Sequence, residues 1–171
     1  LDYLVKKGFS YFSFSDLIRE EARNMGFAMD RKSLEEAGDQ LRKKHGNEPV
    51  FARKILKEIE EKGIKDAAVG GIRQPWEIEE FRKQGHFFLI AVDADRKTRF
   101  ERTRSRGGST DTDDFETFNE FDRREYEGTG STHQQIKASM DLADFTIENN
   151  SSYDDLYRQI DEALAEIKAL P

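Results

Sequence analysis

The sequence contains no cysteine, only three prolines and no long hydrophobic run. Without cysteine, a disulfide framework and thiolate metal or redox chemistry are excluded. The longest uninterrupted apolar stretch, residues 87–92, is far too short to span a membrane, and no signal peptide is recognisable. A cytoplasmic location without a membrane partner is therefore expected.

The chain also lacks an excess of positive charge. Its formal net charge is -7, whereas general nucleic-acid-binding surfaces are usually basic. The three histidines lie far apart in the sequence and suggest no metal site. We therefore expect neither a nucleic-acid partner nor a metal bound by histidines.

The composition predicts one soluble α/β domain covering residues 1–171, of which 36% are hydrophobic and 37% charged. Apolar runs alternate with helical patterns, which is typical of βαβ units around a mostly parallel sheet. The predicted strands cover 10–14, 66–69, 87–92 and 144–148. The predicted helices cover 16–24, 34–45, 49–62, 75–84, 95–105, 115–126, 132–142 and 153–169.

The first eight residues resemble the end of an amphipathic helix that stops at Gly8. They contain no helix cap and follow no strand, and four strands are few for a sheet of this kind. We therefore expect that a segment preceding Leu1 is missing and that the sheet contains a gap.

Polar residues and glycines follow the predicted strands, where ligands bind in open α/β sheets. Arginine follows three of the four strands, and its planar guanidinium pairs bidentately with phosphate. The residues concerned are Ser15, Asp16 and Arg19 after the first strand, Gly70, Gly71 and Arg73 after the second, Asp93 and an arginine-rich helix after the third, and Asn149 after the fourth.

The arginine-rich helix has two possible explanations. Residues 96–106 carry six cations and one acid, and residues 111–127 carry eight acids. Arg99, Arg102 and Arg106 share one helical face, where they repel one another unless acids or a bound anion compensate them. Either the acidic stretch pairs with them or they bind an anion. Together with Arg19 and Arg73, they favour a localised anion site.

Four segments together resemble the P-loop nucleotide kinases. They are FSDLIR at 14–19, GGIRQP at 70–75, RFERTRSR at 99–106 and ADFTIENN at 143–150. The resemblance covers the whole chain and extends to adenylate kinase, dephospho-coenzyme A kinase and the deoxynucleoside monophosphate kinases, most of all to an adenylate-kinase-like branch. It implies a three-layer P-loop NTPase fold whose central first strand is absent from the given sequence.

The resemblance also implies an activity and a set of site residues. The activity is phosphoryl transfer from ATP, with Mg²⁺, to a nucleoside monophosphate or similar small phosphate-bearing acceptor. Residues 33–62 would form a flap over the acceptor and residues 102–135 a lid over ATP, and no metal ligand is assigned. The implied acceptor-binding residues are Ser15, Asp16, Arg19, Gly71 and Arg73; the catalytic residues are Arg73, Arg102 and Arg106; and the ATP-binding residues are Arg102, Arg106 and Asn149.

The sequence departs from that family's pattern in two ways. The phosphate-binding motif G-x-x-x-x-G-K-[ST] is absent from these residues, and Gly70 stands where the resembled branch usually has aspartate. The alternative is therefore a non-catalytic nucleotide-binding or regulatory module. Dephospho-coenzyme A kinase activity, with a different acceptor, is a third possibility. Trp76 is interpreted as an anchor at a helix start rather than as a base-stacking residue.

Overall fold

The computed structural model describes residues 1–46, 48–106, 114–126, 128 and 135–170, except for the side chains of residues 31, 32, 35, 42, 106, 121, 124 and 125. The described residues form alternating helices and short strands. The elements are α1 (Asp2–Lys6), β1 (Ser10–Ser13), α2 (Phe14–Asn24), α3 (Arg31–His45), α4 (Val50–Glu61), β2 (Ala67–Gly70), α5 (Pro75–Arg82), β3 (Ile90–Asp93), α6 (Arg96–Arg106), α7 (Phe115–Tyr126), α8 (Ile136–Met140), β4 (Phe145–Glu148) and α9 (Tyr153–Ala169).

The described strands form two separate parallel pairs. In one pair, β1 lies beside β2, with Ser13 opposite Gly70. In the other, β3 lies beside β4, with Asp93 opposite Glu148. The α/β class and the parallel pairing are confirmed. The expectation of one mostly parallel sheet is wrong for the described residues, because no ladder of hydrogen bonds joins the two pairs. A three-layer arrangement around a single sheet is not confirmed.

Local hydrogen bonds explain why several elements begin where they do. Helix α2 begins two residues earlier than predicted because Ser13 accepts a hydrogen bond from the Asp16 backbone N–H, at 3.2 Å, and caps the helix. Strand β3 begins at Ile90 rather than at residue 87. The preceding Leu89 donates its N–H to the side chain of Asp144, at 2.7 Å, instead of joining a ladder.

A buried hydrophobic cluster lies where β1, β2, α2, α4 and α5 meet. Its buried members are Phe14, Ala52, Ile55 and Phe81, with Phe12 and Val69 of the strands packed against it. Burying a side chain as large as Ile55 contributes on the order of 1.5–3 kcal/mol. This cluster fixes helices α2, α4 and α5 around the β1–β2 pair, and so it positions the loop that follows β2.

A buried carboxylate joins α4 to α5. Glu77 is only 4% exposed, and its Oε2 accepts a hydrogen bond from the Ala52 backbone N–H at 2.8 Å. Ala52 lies in the first turn of α4, where backbone N–H groups lack partners within the helix. Burial raises the pKa of Glu77 to about 7, although hydrogen bonds from the Ala52 and Phe51 backbones oppose the rise. Glu77 therefore caps a helix other than its own.

Helix α1 packs on α9 through polar and aromatic contacts. The rings of Tyr3 and Tyr157 stack with centroids 4.0 Å apart, and the Tyr3 hydroxyl donates to Asp161 at 2.7 Å. Lys7 binds the other oxygen of Asp161 at 2.8 Å. Within the described ranges, no helix is both long enough and apolar enough to cross a membrane.

Candidate functional site

Helix α2, which follows β1 directly, and the loop after β2 begin side by side at the carboxyl end of this strand pair. Ser13 and Gly70 are partners in the ladder, so the next residues of both strands emerge side by side. A Cβ atom placed on Gly71 would lie 3.5 Å from Ser15 Oγ and 3.8 Å from Ser15 N. Ser15 lies in the first turn of α2, and the loop after β2 therefore runs directly past the positive end of that helix.

Gly70 is the last residue of β2 and Gly71 follows it, and the surroundings of the two glycines differ. Gly71 has a φ of +83°, in the left-handed region that side-chain-bearing residues rarely adopt. Gly70 is buried, and a Cβ atom there would lie 2.6 Å from Leu1 Cδ1 and 3.1 Å from the Tyr11 hydroxyl. A side chain at position 70 would require the end of the Leu1 side chain to move and the Tyr11 hydroxyl to shift slightly.

Two arginines stand at this end of the molecule. Arg19 is four residues after Ser15 on α2, so the two share a helical face, and Arg19 Nη1 binds Asp16 Oδ1 at 2.8 Å. Arg19 is 47% exposed, and Arg73 in the loop after β2 is also exposed. The Arg73 carbonyl accepts a hydrogen bond from Gln135 N at 3.0 Å, which fixes the loop.

The β1–β2 end thus brings together four kinds of group that recognise an anion. These are the start of helix α2, a hydroxyl, an open glycine backbone and exposed arginine side chains. The sequence-predicted acceptor residues Ser15, Asp16, Arg19, Gly71 and Arg73 all lie on α2 or on the loop after β2 at this end.

At the β3–β4 end, Arg99 is bound by protein groups. Its Nε and Nη2 contact the two oxygens of Asp122 at 3.0 and 2.6 Å. Its Nη1 contacts Asp93 Oδ1 at 3.0 Å and also donates to the Ala94 carbonyl. Burial lowers the pKa of Arg99, but the hydrogen bond and the charge of Asp122 outweigh it and hold the pKa above its usual value. For Arg99, the structure shows pairing with the acidic segment and not an open anion site.

Arg102 binds the backbone beyond β4. Its Nη1 donates to the Asn149 carbonyl at 2.5 Å, and its Nη2 contacts the Ser151 carbonyl at 3.4 Å. Two further bonds tie the strand ends together: Asn149 N donates to the Asp93 carbonyl at 2.6 Å, and Asp95 N donates to Asn150 Oδ1 at 2.7 Å. The predicted ATP-binding residues Arg102 and Asn149 are therefore neighbours, joined by a backbone carbonyl.

Other parts of the predicted site fall partly or wholly outside the described residues. The side chain of Arg106 and part of the proposed lid, 107–113, 127 and 129–134, lie outside them. The proposed flap, 33–62, corresponds to most of α3 and all of α4. Among the described residues, no group of three or more histidine or carboxylate side chains could hold a metal ion. The described residues therefore do not form a Mg²⁺ site of three or more such side chains.

Sequence reasoning missed two residues that organise the two ends. Asp122 was only one of eight acids in a stretch, and nothing in its spacing distinguished it as the partner of Arg99. Glu77 follows the helix start at Pro75 by two residues and reads as an ordinary first-turn acid. Its burial against the first turn of α4 depends on tertiary packing, and no local pattern signals it.

Comparison with known proteins gives the family. No protein-family model matches the chain. The chain is 36% identical over 157 residues to a UPF0200/UPF0201 protein of Archaeoglobus fulgidus, a match covering 89% of this chain and 46% of that protein. It is 36% identical over 158 residues to a UPF0200 protein of Methanocaldococcus jannaschii, covering 91% and 76% of the two chains. The match to a UPF0200 protein of Pyrococcus horikoshii is 33% identical over 168 residues and covers 95% and 86%.

The chain belongs to the UPF0200 family. It spans about half the length of the Archaeoglobus relative. The assignment to the P-loop nucleotide kinase family is therefore wrong: these relatives are named as UPF0200 proteins, and neither a kinase name among them nor a family model supports that assignment. The short arginine- and glycine-containing segments on which the resemblance was based suit phosphate binding in general and do not define a family.

Proposed function

We propose that this UPF0200 protein binds a small phosphate-bearing molecule at the β1–β2 end and transfers the γ-phosphoryl group of ATP to it. An oxygen of the acceptor phosphate forms a bond to the γ-phosphorus, the bond from the γ-phosphorus to the bridging oxygen breaks, and ADP leaves. The observation that carries the proposal is the left-handed Gly71 beside Ser15 at the start of α2, flanked by the exposed arginines Arg19 and Arg73. A nucleoside monophosphate carries the phosphate charge that such a site favours.

Each group at this end has a task in the proposed reaction. Arg19 and Arg73 neutralise the acceptor phosphate, and the backbone at Gly71 allows that phosphate to approach closely. Ser15 and the positive end of α2 supply hydrogen-bond donors, while Asp16 holds the Arg19 side chain at 2.8 Å. Phosphoryl transfer depends mainly on positioning and on neutralising charge, and these are the tasks that such groups perform.

The ATP donor would approach from the β3–β4 end. Arg102 already lies beside Asn149, and Arg106 follows it one turn later on α6. Bound ATP and Mg²⁺ would supply the transferable phosphoryl group and neutralise its charge. Among the described residues, no group of three or more histidine or carboxylate side chains is available to hold the Mg²⁺, which would therefore be bound mainly by ATP.

A second candidate function is nucleotide binding without catalysis. It is favoured by the partners of Arg99 and Arg102, since both guanidinium groups are engaged by Asp122, Asp93 or backbone carbonyls. Arginines committed to such contacts stabilise the fold and are not available to a donor phosphate until those contacts break.

The proposed reaction is tested with the protein as its gene encodes it. ATP with a radioactive γ-phosphate is incubated with a panel of nucleoside monophosphates and dephospho-coenzyme A, with Mg²⁺ present. We expect transfer to at least one acceptor, strongly reduced in Arg73→Ala and retained in Arg158→Ala. Arg158 is a matched control because it binds Asp155 at a spacing of three residues, as Arg19 binds Asp16. Nucleotide binding without transfer would favour the second function.

A further inference from the structure

Asp122 occupies a position that an anion could take. Its two oxygens accept hydrogen bonds from Nε and Nη2 of Arg99, at 3.0 and 2.6 Å, and Arg96 Nε lies 3.3 Å from Oδ2. The Asp122 side chain is 15% exposed. Two parallel contacts to one guanidinium are the geometry in which arginine also binds phosphate.

The Arg99 guanidinium is oriented even without Asp122. Its remaining nitrogen, Nη1, binds Asp93 at the end of β3 and donates to the Ala94 carbonyl. Both groups belong to the strand end and not to α7. If Asp122 moved away, Arg99 would therefore keep its position and present two donors to the vacated space.

Helix α7 has a second attachment that does not involve Asp122. The ring of Phe100 on α6 lies 5.2 Å from that of Phe115 and 5.4 Å from that of Phe118, between centroids. Asp122 is one turn beyond Phe118, so the aromatic contacts join the first half of α7 to α6, and the ion pair joins the second half to it. Loss of the ion pair would therefore loosen the second half from α6 and leave the contacts of the first half in place.

We propose that Arg96 and Arg99 form an anion-binding site for a phosphate-type oxyanion, and that Asp122 occupies this site in competition with the ligand. Binding of the anion then releases the second half of α7 from α6. This site is separate from the Arg19–Arg73 end, and it does not depend on the reaction proposed above.

The first test measures pyrophosphate binding by calorimetry in an Arg19→Ala, Arg73→Ala background, which removes the two arginines of the β1–β2 end. Asp122→Asn should bind pyrophosphate about tenfold more tightly than its parent, as expected if the competing carboxylate fills the site about nine-tenths of the time. Asp141→Asn is the matched control because Asp141 forms an exposed ion pair with Lys137 on α8, at 2.7 Å. Its affinity should not change. Equal or weaker binding by Asp122→Asn overturns the proposal.

The second test keeps Asp122 unchanged. It therefore tests the proposal even if Asp122→Asn does not fold. Hydrogen exchange is followed in the same background with pyrophosphate or with sodium chloride of equal ionic strength. Pyrophosphate should speed the exchange of amides 119–126 about tenfold and leave amides 116–118 unchanged. Unchanged exchange at 119–126, or equal acceleration by sodium chloride, overturns the proposal.

Discussion

In each strand pair, the helix that follows the first strand carries an arginine, and the contacts of the two arginines differ. At the β1–β2 end, Arg19 contacts a neighbour on its own helix and remains 47% exposed. At the β3–β4 end, Arg99 links the end of β3, α6 and α7 through Asp93, Ala94 and Asp122. An arginine after a strand is therefore exposed at one end and a structural link at the other. The difference depends on which acids the fold brings to it.

The largest effect should come from breaking the link at the β3–β4 end. Arg99→Ala leaves Asp93 and Asp122 without their shared cation, and we expect it to lower the free energy of unfolding by about 3 kcal/mol. Urea denaturation followed by circular dichroism measures this change. The control Arg158→Ala should cost about 0.5 kcal/mol, because its ion pairs are exposed. Similar losses in the two variants would mean that Arg99 stabilises the fold no more than an arginine in an exposed ion pair does.

The stability of the protein should depend on pH through the buried carboxyl group of Glu77. The pKa of Glu77 rises from 4.5 to about 7 on folding, so the folded protein holds a proton that the unfolded chain releases. The contribution of this group to stability is therefore full below pH 4.5 and is lost as the pH rises to about 7. Relative to Glu77→Gln, which does not titrate, the wild type should lose about 2 kcal/mol of unfolding free energy between about pH 5 and pH 7.5.

Urea titrations at both pH values measure that difference. The matched control is Glu79→Gln, which changes an exposed carboxylate on the same helix. It should show the wild-type pH dependence. If the wild type and Glu77→Gln changed in parallel with pH, the carboxylate of Glu77 would be ionised in both the folded and unfolded states.

The smallest effect should come from Gly71→Ala, which forces a side chain into the left-handed conformation. Because φ is +83° there, we expect a loss of about 1 kcal/mol of unfolding free energy. Gly63→Ala should cost a similar amount, since Gly63 has a φ of +61° and lies outside the candidate site. Only Gly71→Ala should also weaken monophosphate binding, as measured by calorimetry. Equal affinities in the two variants would mean that the ligand does not approach the backbone at Gly71.

The sequence predicted the elements well where local signals decide them. Helices α7 and α9 have their predicted bounds, and Pro75 begins α5 as its fixed φ favours. The division into two strand pairs could not be predicted, because ladder pairing depends on contacts distant in the sequence. The candidate site was likewise predictable from the sequence only in part. The positions of Ser15, Gly71 and Arg73 follow from strand order, whereas the pairing of Arg99 with Asp122 depends on how α7 packs.

Calorimetric titration of a nucleoside monophosphate tests the central claim most directly. In the protein as its gene encodes it, Arg73→Ala and Arg19→Ala should each weaken monophosphate binding by about 1.5–3 kcal/mol, the effect of losing a hydrogen bond to a charged group. ATP affinity should change little in either variant, and Arg158→Ala should bind both ligands as the wild type does. Unchanged monophosphate affinity in both Arg19→Ala and Arg73→Ala would contradict the assignment of the β1–β2 end as the binding site.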